Sequence, residues 1–424
     1  MLRINIIDYG YQNRSREKAC LFSLVLLKAI YEAGMVLYII PTYQYDAKYD
    51  IVHGVISYIL LAVTFYSYPK NSNRPSSYAY TFLQCFIYIP ILAISWLVDV
   101  KFEYVYLVSA CMIVIAIVSR IRIGSLSILS KDHATLIFYI LFCVYIVLAA
   151  YLVMKRGGID RRALSLDDLY ALREENNLTG LSSYLINWCA KSFFPVYCLY
   201  FYYGRHKGRM LICVFTQLLL YLSTGDKSYV LSIGLILAII ILYSLFNLKK
   251  WLPYGLGILT ALSYCVYTVF SARGLLTVFL YRLVTIPAAI NFRYYEYMSD
   301  HKSYLYFAET FVGRLFGLSS PFKIGFSYFI SDTDAQANTG LFGDAFANGG
   351  FPVMLIYSVI LGLILALFDK LGERQRPMVI GILSYMIINL MDVPLLTNLI
   401  TGGILITIIL LIISYSTLSD TIQI

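Results

Sequence analysis

Residues 338–350 read NTGLFGDAFANGG, and they end a break, residues 271–349, in an otherwise apolar chain. Long apolar runs fill the sequence on both sides of this break. The chain has 424 residues, of which 60% are hydrophobic and 13% charged, whereas soluble proteins average about 25% charged residues. The composition predicts an integral membrane protein of the all-α class, because backbone polar groups in hydrocarbon must be satisfied within helices.

Twelve apolar runs come close to the length of about 20 residues that a membrane-spanning helix needs. We interpret them as the spans of a single membrane domain over residues 1–424, with one long outer loop before the last three spans. No cleavable signal peptide is expected, because residues 1–18 are polar and no small-residue cleavage site follows the first run. The predicted spans are 19–40, 50–68, 80–98, 103–118, 134–154, 181–203, 209–223, 228–246, 251–270, 350–368, 377–393 and 398–416.

Basic residues follow the alternation of the spans. The N-terminal segment and every second loop are rich in Lys and Arg, so the positive-inside rule predicts that both termini are cytoplasmic. Two predicted outer segments, 155–180 and 271–349, are also basic, and long loops cross a membrane regardless of charge. Their charge suggests either a bound anion such as phosphate or contact with anionic lipids. The net charge of +9 is spread over loops and does not indicate nucleic-acid binding.

The first part of segment 271–349 predicts an arginine-bearing helix. Arg273 precedes a helix expected from Leu275 to Met298, with a kink or interruption at Pro287. Arg282 and Arg293 are eleven residues apart, close to three helical turns, so an unkinked helix would carry both on one face. The neighbouring residues are apolar and aromatic, which favours a helix lying at or dipping into the membrane interface.

Aromatic residues and one histidine follow these arginines. Tyr294 and Tyr295 belong to a dense tyrosine cluster, which is typical either of an interfacial aromatic belt or of a surface that binds sugar rings. His301 is the single histidine in either predicted outer segment. It is either structural or a general base for a sugar hydroxyl.

Two further cations and one ion pair complete the candidates. Arg173 lies near the end of a predicted helix in segment 155–180, where it either complements the helix dipole or binds a phosphate. Lys227 follows the turn 223–226 and either extends to water or binds an anion; the spacing of a P-loop is absent. Lys28 and Glu32, four residues apart in the first span, predict an internal pair. The eight cysteines show no CxxC spacing and predict no metal site.

The sequence resembles the bacterial O-antigen and capsule polymerases, the oligosaccharide repeat-unit polymerase (Wzy) family. The resemblance is carried by the twelve-span layout with its long outer loop and by short motifs. These motifs are YALRE (170–174), TGDKS (224–228), YRL (281–283) with Pro287 and Asn291, NTG (338–340), Gly343-Asp344 and NGG (348–350). The resemblance implies a GT-C-like, metal-independent transferase without cofactors in the bacterial plasma (inner) membrane.

The family's reaction moves a growing glycan from undecaprenyl pyrophosphate to the non-reducing end of another lipid-linked repeat unit. The resemblance therefore implies catalytic roles for Arg282 and Arg173 on the pyrophosphates. It implies that Asp344 aligns the acceptor hydroxyl or holds an arginine, with His301 as an alternative base. The implied substrate-binding residues are Lys227, Arg273, Arg293, Tyr294 and Tyr295. Membrane lipids and a chain-length regulator protein are the other partners to be considered; nucleic acid is not.

Besides the polymerase, three alternatives remain open from the sequence: a flippase, an O-antigen ligase and a non-enzymatic membrane scaffold. A lipid-linked oligosaccharide flippase would handle the same substrate, but it predicts two comparable halves and cations in a central cavity. O-antigen ligases are similar in layout and rely on a histidine in the late outer loop. Residues 331–350 contain no histidine, which favours the polymerase, although His301 keeps the ligase open.

Overall fold

The computed structural model describes residues 2–68, 73–124, 129–165, 168, 172, 180–323, 325–331, 337 and 339–417, with the backbone alone for residues 2–16 and Leu245. These residues form helices, as the composition predicts. Within these ranges the only β-type pairing is an isolated bridge between Ala47 and Val98. The predicted site residue Arg173 lies outside the described residues.

The main helices follow one another through the chain with short connections. In chain order they are α1 (2–43), α2 (Ile51–Ser67), α3 (Pro75–Ile94), α4 (Glu103–Val118), α5 (Lys131–Lys155), α6 (181–203), α7 (Lys207–Thr224), α8 (Lys227–Leu245), α9 (Leu248–Phe270), α10 (Gly274–His301), α11 (Phe311–Leu315), α12 (Phe326–Phe329), α13 (Leu341–Asn389), α14 (Leu395–Ile400) and α15 (Ile404–Thr417). A short 3₁₀ helix covers Arg161–Leu164.

Seven helices in the described part of the chain are long and apolar enough to cross a membrane. They are α1 from Glu17 onward, α3, α5, α8, α9, α10 and α13. The apolar helices α2, α4 and α15 are shorter, and the expected spans 181–203 and 209–223 are helical without being among the seven. The structure thus shows a helical protein with several candidate membrane spans, and the twelve-span topology stays a prediction.

Helix α13 cannot be one straight rod. It has 49 residues, and a straight helix of that length would measure about 73 Å. However, the amide of Leu341, its first residue, donates to the carbonyl of Leu390 at 2.9 Å. The helix must therefore reverse direction between its ends, as two consecutive spans at 350–368 and 377–393 would require. Gly350, at a φ of +67°, marks one bend.

Among the described helices, four contain a π-helical segment, and each of these segments is followed by a proline. The segments are Met35–Ile39, Gln84–Tyr88, Cys189–Phe193 and Thr277–Thr285, and the prolines are Pro41, Pro90, Pro195 and Pro287. A proline lacks the N–H that would bond the carbonyl four residues earlier, and its ring crowds that carbonyl. In all four cases this residue lies inside the π segment. The widened turn absorbs the conflict, so α10 continues through Pro287, where the sequence predicted a kink or an interruption.

The chain forms two compact units. Unit 1 contains residues 1–121, 245–366 and 387–395, and unit 2 contains residues 122–244, 367–386 and 396–424. Within unit 1, α10 packs against α1, α3 and α9. The sequence predicted α10 as an interfacial helix of an outer loop. The structure gives it 28 residues of sufficient hydropathy to cross a membrane and buries one face of it inside unit 1.

Candidate functional site

Two arginines of α10 act on one tyrosine in unit 1. The side chains of Arg282 and Arg293 are exposed, and both charges lie within electrostatic reach of the Tyr281 hydroxyl. The Tyr281 ring stacks on Tyr43 with 3.6 Å between ring centroids, which anchors this part of α10 on α1. Arg282 and Arg293 thus lie on one continuous helix, eleven residues or roughly 16 Å apart along its axis, and their placement on one face stays a prediction.

The other two candidates of α10 lie at its opposite ends. Arg273 precedes the first residue of the helix and is exposed, and His301 is its last residue. A helix of this length separates them by roughly 40 Å, so they do not serve the same phosphate. His301 Nδ1 lies 2.9 Å from the Tyr297 carbonyl, and its ring stacks on Tyr297 at 4.1 Å. Such a contact satisfies a carbonyl in the last turn of the helix, and it leaves Nε2 available for proton transfer.

Tyr294 and Tyr295 are packing residues in unit 1. They are 4% and 8% exposed. The Tyr294 hydroxyl donates to the Ala337 carbonyl at 3.1 Å, and the Tyr295 ring lies 4.7 Å from that of Phe346 and 4.9 Å from that of Tyr104. Sugar stacking needs an accessible ring face. Neither tyrosine offers one, so we leave both out of the proposed site.

Asn291 joins α10 to the NTG…GD motif at the start of α13. Its Oδ1 accepts hydrogen bonds from the Gly343 amide at 2.8 Å and the Tyr104 hydroxyl at 2.9 Å, and its Nδ2 donates to the Pro287 carbonyl at 2.7 Å. Asn291 is 3% exposed. A Cβ on Gly343 would lie 2.9 Å from Asn291 Oδ1 and 2.3 Å from Thr339 Oγ1, so glycine permits this close approach.

Asp344 is buried within the same part of unit 1. It is 9% exposed, and its Oδ2 accepts from the Tyr357 hydroxyl at 3.3 Å. The Asp344 carbonyl accepts from Asn348 Nδ2 at 2.9 Å, and Asn348 Oδ1 accepts from the Phe307 amide at 2.8 Å. Among the described contacts, Asp344 therefore pairs with a tyrosine and not with an arginine. We call Asn291, Gly343, Asp344 and Asn348 the buried clamp.

A cluster of cations surrounds the turn before α8 in unit 2. Gly225 adopts a φ of +68°, and Asp226 Oδ1 caps α8 by accepting from the Ser228 amide at 3.0 Å. Lys227 starts the helix beside this cap. Asp226 lies within electrostatic reach of Lys191, and both Asp226 and Arg156 lie within reach of Tyr229. We call Arg156, Lys191 and Lys227 the unit 2 cations.

Arg156 is fixed at the end of α5. Its Nε donates to the Ser223 carbonyl at 3.1 Å, and burial lowers the pKa of the guanidinium. A guanidinium still carries its charge at neutral pH after such a shift. Partial burial strengthens its attraction to an anion, because the local dielectric constant is lower than that of water. Neighbouring Lys155 donates to Ser182 Oγ at 2.7 Å.

Lys191 was missed in the sequence analysis. It lies in the π segment of α6, four residues before Pro195. The available signal was a single lysine in the middle of an apolar and aromatic run, because ionisable groups in such positions are rare and often functional.

The described residues contain no group of three or more His, Cys, Asp or Glu side chains placed to hold a metal ion. The arginines of α10 and the unit 2 cations both provide positive charge carried on helices. No protein-family model, curated protein or solved structure matches this chain.

Proposed function

We propose that the protein is a membrane glycosyltransferase that polymerises lipid-linked oligosaccharide repeat units. In this reaction an acceptor sugar hydroxyl attacks the anomeric carbon of the donor glycan. The bond from that carbon to the pyrophosphate oxygen breaks, the lipid pyrophosphate leaves with the electron pair, and the hydroxyl proton passes to a base or to water. Donor and acceptor each carry one lipid pyrophosphate.

The observation that carries this proposal is the presence of two exposed arginines, Arg282 and Arg293, on one helix that is apolar enough to cross a membrane. Two guanidinium groups can each form bidentate hydrogen bonds with phosphate oxygens. Their fixed positive charge would offset the charge that develops on the departing pyrophosphate. Arg282 is the residue that we assign to this leaving group.

The unit 2 cations support the same proposal. Arg156, Lys191 and Lys227 supply three positive charges against the carboxylate of Asp226. This excess suits a second pyrophosphate.

The buried clamp has a supporting role in this proposal. Asp344 and Asn291 are buried and engaged with tyrosine and backbone partners, so we infer that they hold the start of α13 against α10. Their effect on the reaction would pass through the position of α10. The acceptor hydroxyl would lose its proton to water, because His301 lies roughly 28 Å along α10 from Arg282, beyond the reach of a general base.

Deletion of the gene in its native host, followed by complementation with variants, tests the proposal. The measurement is the lipid-linked glycan profile, resolved by repeat number and by membrane leaflet. Arg282→Ala should leave single repeat units on the outer leaflet at wild-type protein levels. Arg314→Ala changes an exposed arginine of α11 outside the site and should give normal polymer.

The other outcomes identify other functions. Single units trapped on the inner leaflet after deletion would indicate a flippase. Polymer of normal length left on its lipid would indicate a ligase. A wild-type profile from the deletion strain would remove the protein from glycan assembly.

A further inference from the structure

A cavity of about 230 Å³ with both polar and apolar lining opens in unit 1. It is lined by the beginning of the apolar part of α1 at Glu17 and Cys20, the end of α2 at Phe65, the start of α3 at Tyr78, and the start of α9 at Lys249. The apolar windows of α1, α3 and α9 begin at this level. The cavity therefore lies where these helices would enter a membrane, on the side that the charge pattern predicts to be cytoplasmic.

Gln84 places an unsatisfied donor in the wall of this cavity. It is 2% exposed, and its Nε2 has no hydrogen-bond partner in the described part of the chain. Buried amide groups are nearly always hydrogen-bonded. Gln84 is also the first residue of the π segment of α3, and π turns are frequent at functional sites. An acceptor oxygen in the cavity would satisfy this group.

The charge around the cavity is positive. Lys249 lies 4.8 Å from the centroid of the Tyr78 ring. Lys249, Lys250 and Glu17 all act electrostatically on Cys20, and Arg120 acts on Tyr80. Of these charged residues, Lys249 and Glu17 line the cavity, and Lys250 and Arg120 lie within electrostatic reach of its walls. The local balance of three cations to one carboxylate favours an anion.

The size and the remaining lining define the class of ligand. The cavity is much larger than the volume of about 30 Å³ that one water takes in the liquid. Leu24 and Phe65 contribute apolar surface, and the tyrosines Tyr78 and Tyr80 also line the cavity. A phosphate group joined to an apolar chain matches this arrangement, because basic pockets between membrane helices on the cytoplasmic side bind anionic lipid headgroups.

We propose that this cavity binds the phosphate headgroup of an anionic membrane lipid. The phosphate oxygens accept hydrogen bonds from Gln84 Nε2 and from the Lys249 ammonium, and the lipid chain leaves along Leu24 and Phe65. This site is independent of the proposed transferase reaction, whose residues lie on α10 and in unit 2.

Native mass spectrometry of the purified full-length protein tests this proposal. The protein in detergent is titrated with phosphatidylglycerol and, separately, with zwitterionic phosphatidylcholine of the same chain length. We expect saturable binding of one phosphatidylglycerol at concentrations where phosphatidylcholine does not bind. Lys249→Gln and Gln84→Leu should each weaken this Kd at least tenfold, with unchanged melting temperatures.

Arg209→Gln is the matched control. Arg209 also lies over a tyrosine ring, 4.9 Å from the centroid of Tyr139, but in unit 2, and its removal should leave the Kd unchanged. Equal phosphatidylglycerol binding by the wild type and both cavity variants would overturn the proposal. Glycerol phosphate that displaces the lipid and binds as tightly would overturn the lipid assignment in favour of a soluble phosphate ester.

Discussion

The Gly343 amide donates to Asn291 Oδ1 at 2.8 Å, and this bond joins two stretches of sequence 52 residues apart. Asn291 lies one helical turn after Pro287 on α10, and Gly343 lies in the first turn of α13. The same oxygen accepts from the Tyr104 hydroxyl at 2.9 Å. One side chain thus fixes α4, α10 and α13 of unit 1 to one another.

Asn291→Ala should destabilise the protein by about 1–3 kcal/mol, because it leaves two buried donors without an acceptor. Tyr104→Phe removes one of these donors and should cost less, about 0.5–1.5 kcal/mol. Thermal unfolding in nanodiscs measures both. The double variant should cost less than the sum of the single variants, since the two side chains share one bond. Additive costs would show that the Tyr104–Asn291 bond contributes nothing.

Gly340→Ala should push the N-terminal end of α13 away from Leu390 and Met391, the two residues that follow its C-terminal end. A Cβ at this position would lie 2.2 Å from the carbonyl oxygens of both Leu390 and Met391, and rotation of a side chain cannot relieve a clash with backbone. We expect a loss of about 1–3 kcal/mol, as for other overpacked sites. Gly234→Ala, in α8 with nothing within 4 Å of the added carbon, is the control and should be neutral or stabilising. Equal stability of the two variants would contradict this close approach.

Several features of the fold follow from the sequence. Hydropathy predicts the helices, and the Lys28–Glu32 pair is confirmed as a salt bridge. The prolines at 41, 90, 195 and 287 each follow a π segment in the structure. From the sequence one can predict only that each proline disturbs the helix at the carbonyl four residues earlier. Whether a helix kinks or widens depends on the helices packed around it. Because the widened helix stays continuous, Arg282 and Arg293 lie on one helix, and their common face stays a prediction.

Other features depend on tertiary packing. The density of tyrosines around Tyr294 was compatible with a sugar surface, but packing against Phe346 and Phe326 buries Tyr295 and Tyr294. Asp344 was expected to align the acceptor hydroxyl or to hold an arginine, and the structure buries it beside the Tyr357 hydroxyl. Lys191 joins the unit 2 cations only through the spatial approach of α6 to the turn at Asp226. No local pattern encodes these contacts between distant segments.

Glu32→Gln should be strongly destabilising. Lys28 is 0% exposed and Glu32 7% exposed, and Glu32 also accepts from Trp96 Nε1 at 2.6 Å and from the Tyr58 hydroxyl. Removal of the carboxylate charge leaves a buried ammonium without its counter-ion, at an expected cost of about 3–5 kcal/mol. Lys28→Met combined with Glu32→Gln removes both charges and should recover most of this loss. Unfolding by SDS in mixed micelles measures it, and a Glu32→Gln protein as stable as the wild type would exclude a charged pair.

Arg282→Ala should lower the rate of chain extension about 10²–10³-fold, the range seen when a transition-state donor is removed. The proposal places Arg293, three helical turns from Arg282 on the same helix, on the same phosphate, so Arg293→Ala should act through the same bound group. The double variant should therefore be little worse than Arg282→Ala alone.

The measurement is release of lipid pyrophosphate by the purified protein from a single lipid-linked repeat unit, under saturating and subsaturating substrate. Lys191→Gln should raise the KM for the lipid-linked substrate. Lys207 is an exposed residue at the start of α7, and Lys207→Gln is the control that should leave this KM unchanged. If Arg282 and Arg293 acted on separate groups, the losses would multiply. A multiplicative result with normal KM for Lys191→Gln would exclude both the shared phosphate on α10 and the anion site of unit 2.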